Sequence, residues 1–133
     1  MLYGENMKTL CLLNHKLTLN QIADLEQNWH SKEIVYPPEE IALMWSNIPP
    51  ENVKSDAVHK VALWLKANST AGDLFIIQGE FGSTFRLVDF ALKNNLVPIY
   101  ATTKRIARES CNGEKVQREY IFEHVCFKRY EYY

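Results

Sequence analysis

Short apolar runs punctuate the chain, and between them apolar residues recur at helical spacing. Met7–Leu13 ends at the polar pair Asn14-His15. A run that is apolar on both faces predicts a buried strand of a parallel sheet. Thr18-Leu19-Asn20-Gln21 follows as a capping box, in which the Thr hydroxyl and the Gln amide satisfy backbone N–H groups at a helix start. Ile22, Leu25 and Trp29 then share one helix face. Glu33–Tyr36 predicts a second strand, stopped by Pro37-Pro38. Pro38 is expected at the first helical position of the next helix, with Glu39 and Glu40 in its first turn. Ile41, Met44, Trp45 and Ile48 form its apolar stripe, and Pro49-Pro50 ends it.

Ser55 or Asp56 caps a third helix, with Val58, Val61, Ala62 and Leu65 facing inward. Asp73–Gln78 is the strongest buried-strand pattern in the chain. After the loop Gly79–Thr84 comes a helix expected to bury Phe85, Val88 and Leu92. Leu96–Ala101 predicts a fourth strand, and Pro98 within it points to the sheet's edge, because proline cannot donate to a ladder. Thr102–Arg105 follows at that strand's end. Asn112-Gly113 predicts a type I′ turn between Arg105–Ser110 and a long run from Lys115 to Tyr130. The expectation is a C-terminal antiparallel hairpin that extends the sheet.

Alternating strands and helices predict a doubly wound α/β fold with right-handed crossovers. The expected order sets the first strand between the second and third. That places a topological switch between strands one and three, where ligands sit beyond the carboxyl ends. Asn14-His15, the 78–84 loop and the 101–105 segment then meet at one edge, although they are far apart in sequence.

Size and charge narrow the picture. A chain of 133 residues and 15.5 kDa is expected to form one domain over 1–133. Its formal charge of −1 argues against a protein that coats duplex nucleic acid. The balance is uneven, however: Lys104, Arg105, Arg108, Lys115 and Arg118 crowd one stretch near the C-terminus. Such a cluster suits a small anionic ligand, or else the charged protection of an exposed edge strand. Cys11, Cys111 and Cys126 lack metal-ligand spacing and read as reduced thiols. His15, His30, His59 and His124 show no paired metal-binding spacing. No apolar run approaches membrane-spanning length, and the start M-L-Y-G-E-N-M-K-T lacks a signal-peptide pattern. A cytoplasmic protein with no cofactor and no membrane partner is expected.

The predicted edge carries the candidate chemistry. Gln78-Gly79-Glu80-Phe81-Gly82-Ser83-Thr84 joins a strand to a helix. Its glycines allow close backbone approach, and the helix-start N–H groups with the Ser83 and Thr84 hydroxyls suit a phosphate or carboxylate. The same residues equally suit a plain turn and cap. Thr102, Thr103, Lys104 and Arg105 add hydroxyls and cations, Arg being able to grip phosphate with two parallel N–H bonds. Their alternative is a hydrated loop. His15 suits general acid or base work, or a structural hydrogen bond. Glu80 suits a proton acceptor or a loop carboxylate that disfavours wrong anions. Phe81 and Tyr100 flank the edge as platforms for a base, whereas Trp29, Trp45 and Trp64 lie at core spacing.

Taken together, Leu12-Leu13-Asn14-His15, Ile34-Val35-Tyr36-Pro37-Pro38, Trp45-Ser46-Asn47-Ile48-Pro49-Pro50-Glu51, Gln78–Thr84 and Pro98–Arg105 resemble a CRISPR-associated family. It is the small stand-alone Csx-type ancillary protein of type III systems, regarded as a ring nuclease. The resemblance spans most of the chain, and the motifs around Gly82 and Thr102 are its most specific parts.

The resemblance implies a Rossmann-like (CARF-like) homodimer in antiviral defense that handles cyclic oligoadenylate, most often cyclic tetra-adenylate. The implied reaction is a metal-independent ring opening, in which a ribose 2′-hydroxyl attacks its neighbouring phosphate in line. Catalysis falls on Arg105, His15 and Ser83. Backbone N–H groups of Gly82–Thr84 and the Arg105 guanidinium hold the reacting phosphate, and Thr102, Thr103 and Lys104 fix adjacent phosphates or riboses. Asn14 and His15 orient the nucleophile or leaving oxygen; Gly79, Glu80, Phe81 and Tyr100 complete the binding set. A non-catalytic binding protein, sponge or sensor, needs the same edge without the cut. A bland interaction protein that uses its aromatic tail and hairpin is a third class.

Overall fold

The computed structural model describes residues 7–133. The stretch read above as lacking a leader lies largely outside the described residues. In chain order the elements are β1 (Lys8–Leu12), α1 (Leu19–Asn28), β2 (Glu33–Val35), α2 (Glu39–Ser46), α3 (Ala57–Asn68), β3 (Leu74–Ile77), α4 (Phe81–Lys93), β4 (Val97–Asn112) and β5 (Lys115–Arg129). They form one five-stranded sheet in the order β2-β1-β3-β4-β5, parallel except for the antiparallel β4–β5 pair.

Period-two alternation divides the core between the two faces of this sheet. Leu10, Leu12, Phe75 and Ile77 face α2, α3 and α4, packing with Trp45, Val61, Leu65 and Leu87. Cys11, Leu74, Ile76 and Ile99 face the opposite side, where Leu25 of α1 and Phe127 of β5 cover them. All four β3 side chains are buried to 2% exposure or less. Each such burial is worth about 1.5–3 kcal/mol, so β3 is the spine of the core. At its amino end the buried Asp73 accepts from the Lys8 N–H (3.1 Å) and the Thr70 N–H (2.8 Å), tying the start of β1 to that of β3.

The Thr18–Gln21 capping box forms as the sequence predicts, with Gln21 N–H donating to Thr18 Oγ1 at 3.2 Å and Thr18 N–H to Gln21 Oε1 at 3.0 Å. Other expectations are corrected. Pro38 is the N-cap of α2 rather than its first helical residue, with ψ 153° still extended. Phe85 is 76% exposed, because α4 turns Leu87 and Ala91 to the sheet and leaves Phe85 off that stripe. Pro98 lies in an interior strand: it pairs with Phe75 on one side, and Tyr130 N–H donates to its carbonyl on the other. Proline is tolerated there because the β4–β5 ladder ends at that rung, so the missing N–H removes nothing but its return bond.

The largest correction concerns Thr102–Arg105. These residues are not a loop but the middle of β4, which runs without interruption for 16 residues. The turn that follows is Gly113-Glu114, flanked by the Asn112–Lys115 pair. Gly113 has φ +69° and Glu114 does not share the left-handed region, which fits a type II′ turn with glycine first rather than type I′. Thr102 pairs with Cys126 but Thr103 pairs with His124, so Val125 is an inserted bulge residue. The bulge brings Phe127 and His124 to the same face, with ring centroids 4.7 Å apart. There His124 Nε2 lies 2.7 Å from Asp24 Oδ2 of α1, both side chains largely buried.

Candidate functional site

The chain leaves β1 for β2 through α1 on one face and leaves β3 for β4 through α4 on the other. Their carboxyl ends therefore diverge, and a crevice of about 150 Å³ opens between them. Asn14, His15, Gln78 and Gly79 line it. Asn14 and His15 also line an adjoining cavity of about 570 Å³, whose far wall is Tyr36, Pro37 and α2. His15 Nδ1 lies 2.8 Å from the Lys16 carbonyl oxygen. A carbonyl can only accept, so Nδ1 is the donor here, which leaves Nε2 as the ring nitrogen open to a ligand.

Gly79 does allow a close approach, but the partner is Trp45. A Cβ there would stand 2.6 Å from the Trp45 ring. The Trp45 indole N–H also donates to the Gln78 carbonyl at 3.1 Å, so the loop floor rests on a buried tryptophan. Gln78 itself binds both backbone groups of Ala101: its Oε1 accepts from Ala101 N–H at 2.9 Å, and its Nε2 donates to the Ala101 carbonyl at 3.4 Å. A side chain here supplies a rung where the β3–β4 ladder has stopped.

The start of α4 is already occupied. Glu80, the N-cap, accepts from the Gly82 N–H (3.0 Å), the Ser83 N–H (2.9 Å) and the Ser83 hydroxyl (2.6 Å). Thr84 N–H donates to the Glu80 carbonyl at 2.9 Å. The donors expected to cradle a phosphate thus hold a carboxylate of the chain itself. Those bonds, the Ser83 hydroxyl's foremost, hold the Glu80 carboxyl below its ordinary range. Thr84 Oγ1 is buried without a hydrogen-bond partner among the described residues. Phe81 points to solvent at 92% exposure. Glu80, Gly82 and Ser83 border a groove of about 620 Å³ that also presents Lys54 and Arg86.

The 100–105 segment is largely committed elsewhere. Tyr100 packs on Tyr130, with ring centroids 4.8 Å apart. The Thr102 hydroxyl donates to the Cys126 carbonyl at 3.1 Å. Thr103 and Lys104 are exposed along β4. The Arg105 guanidinium lies 3.9 Å from the centre of the Tyr120 ring. Four residues of strand carry it about 13 Å beyond Ala101. The structure therefore gathers Asn14, His15 and Gly79 in one crevice and Glu80, Gly82 and Ser83 in the next groove. Arg105 stands apart on the strand pair, so His15, Ser83 and Arg105 do not converge.

Sequence reasoning passed over Lys16, Lys54 and Arg86, the cations that line these cavities. Arg86 was within reach, because it lies three residues after Ser83 on the first turns of α4 and so shares its side. Lys54 has no periodic signal; only the fold brings its loop to α4. Cys11 is buried, and burial pushes its thiol up to about 12, which leaves it unreactive. Among the described residues no group of three or more His, Cys, Asp or Glu side chains could hold a metal ion, and no helix is long and apolar enough to cross a membrane.

No solved structure matches this chain. It is 39% identical over 127 residues to Uncharacterized protein MJ1673 of Methanocaldococcus jannaschii, an alignment covering 95% of this chain and 98% of that protein. The model of the Uncharacterized protein MJ1673 family matches residues 7–128. The chain therefore belongs to the MJ1673 family.

Proposed function

We propose that this protein is a Rossmann-like, CARF-like ring nuclease. It binds a cyclic oligoadenylate, cyclic tetra-adenylate foremost, across the carboxyl edge of the sheet and opens it without a metal. The observation that supports this reading is the meeting of Asn14-His15 with Gln78-Gly79 at the β1–β3 switch point. Lys16, Lys54 and Arg86 stand in the cavities on either side. A ring of alternating phosphates and riboses with pendant bases needs an edge of this kind, with cations beside apolar walls.

In this reading the nucleophile belongs to the substrate. The ribose 2′-oxygen attacks the adjacent phosphorus, the bond from phosphorus to the 5′-oxygen breaks, and a 2′,3′-cyclic phosphate forms with a free 5′-hydroxyl. The proton from the 2′-hydroxyl passes to His15 Nε2, and the 5′-oxygen takes one up from solvent or the same imidazole. The protein's remaining task is to hold the two oxygens in line and stabilise charge on the phosphate. Such a protein would work in the cytoplasm as a homodimer that ends type III CRISPR signalling.

A second reading is a sponge or sensor that holds the ring intact. The separation of His15, Ser83 and Arg105 favours it, because the three expected catalytic groups do not share one pocket. Incubating the protein with cyclic tri-, tetra- and hexa-adenylate in EDTA, with products resolved by chromatography, separates the two. Linear products ending in a cyclic phosphate support the nuclease. Intact ring recovered in proportion to protein supports the sponge. Free, unbound ring in every case refutes both.

A further inference from the structure

From the Thr103–His124 pair onward, β4 and β5 leave the body of the sheet and run on as a two-stranded ribbon of ten consecutive pairs, about 30 Å long. Residues 107–120 of this ribbon are exposed throughout. A ribbon of two strands is marginal in water by itself. β5 closes the strand order, so among the described residues no strand pairs with its outer edge. A long edge of unpaired N–H and C=O groups is a template for another strand. Large apolar side chains also stand exposed along β5: Val116, Tyr120, Phe122 and Val125.

Charge decides what fits this edge. A nucleic acid would need an excess of free cations, yet between 104 and 123 five cations stand among four carboxylates, and three of the five lie opposite one. Arg118 bonds Glu109 at 2.6 Å, Lys104 faces Glu123, and Arg108 faces Glu119. A second copy of the same strand is accommodated instead, and of the registers centred from Arg118 to Phe122 one avoids both like charges and the bulge. With Tyr120 opposite itself, Arg118 faces Phe122, Glu119 faces Ile121, and Gln117 faces Glu123 of the second copy, with no like charges opposed. Centring one residue earlier sets Glu119 against itself; one residue later sets Glu119 against Glu123. Directly opposed like charges destabilise a strand pair. Centring at Phe122 runs the pairing into the Val125 bulge.

We propose that two copies of this chain dimerise by pairing their β5 edges antiparallel across a two-fold axis at Tyr120, joining their sheets into one. The inference does not rest on the ring reading, and either stands if the other fails. Sedimentation of the full chain tests it. Wild type sediments as a dimer, and Tyr120→Asp, which opposes two carboxylates, weakens the dimer by about tenfold or more. Phe122→Asp, which faces Arg118 of the second copy, keeps it. In a Cys111→Ser background, Tyr120→Cys oxidises to a covalent dimer, because directly opposed strand residues lie within disulfide reach. Ala107→Cys on β4 does not. A monomeric wild type, equal weakening by both Asp substitutions, or equal cross-linking at 107 and 120 would overturn the proposal.

Discussion

Glu80 and Ser83 are bound to one another at two points: the carboxylate Oε1 accepts from the Ser83 N–H at 2.9 Å and from its hydroxyl at 2.6 Å. A carboxylate thereby sits where the sequence reading places a phosphate. If the ring docks at the start of α4, it must displace this group. Glu80→Ala is then expected to tighten cyclic tetra-adenylate binding by about fivefold, through removal of a competing anion near the helix's positive end. Isothermal titration of both proteins measures it, and weaker binding by Glu80→Ala would show instead that Glu80 contacts the ligand.

The same cap predicts an acid dependence. Its bonds to Ser83 and Gly82 lower the Glu80 pKa from the ordinary value of 4.5. Stability from a depressed carboxyl is fully present above the unfolded value and fades as pH falls through the folded one. Melting temperatures of wild type and Glu80→Ala should differ at neutral pH and converge in acid below that range. A constant difference at every pH contradicts the assignment.

The two loop glycines should respond in opposite ways. A methyl group at Gly79 would press into the buried Trp45 ring at 2.6 Å, which predicts a loss of about 1–3 kcal/mol for Gly79→Ala. At Gly82 the nearest atom, a Glu80 carboxylate oxygen, is 3.4 Å away, so Gly82→Ala is accommodated. Within α4 it should gain up to about 1 kcal/mol in helix propensity. Urea unfolding of both variants decides.

Much of this architecture is legible in the sequence, and the failures share a cause. The capping box at Thr18, the apolar run before Asn14 and the buried strand before Gln78 are local patterns, and each forms where its residues predict. The strand order that follows from them sets Asn14-His15 beside Gly79. Thr102–Arg105 misled because threonines and cations after an apolar strand resemble a loop. What keeps them extended is cross-strand pairing with residues 122–126, a non-local term. Likewise the sequence reading offered Glu80 as a proton acceptor or a plain loop carboxylate, but the bonds it makes to Gly82 and Ser83 appear only once the backbone turns into α4.

His124 and Asp24 supply a stability prediction with no part in the chemistry. They join β5 to α1 across 100 residues, at 7% and 13% side-chain exposure. Asp24 keeps its bond from the Asn28 amide, so His124→Ala strips one of its two partners and should cost about 1–3 kcal/mol. The double variant His124→Phe, Asp24→Leu should recover much of it. Equal losses in both would show that side-chain volume, rather than the polar pair, holds this joint.

If His15 serves as the base, substitutions should separate by place. His15→Ala and Asn14→Ala should each lower single-turnover ring opening by about tenfold or more. Arg105→Ala, removed from the crevice and stacked on Tyr120, should change it by less than about threefold. The reverse order would move the reacting phosphate onto β4.

The most direct test is to titrate isotopically labelled protein with cyclic tetra-adenylate and follow every backbone amide by NMR. Binding across the carboxyl edge predicts that the largest shifts fall on residues 13–16 and 78–86, with Lys54 and its neighbours next. Spectra unchanged at saturating ligand, or shifts confined to the amino ends of the strands, would contradict it.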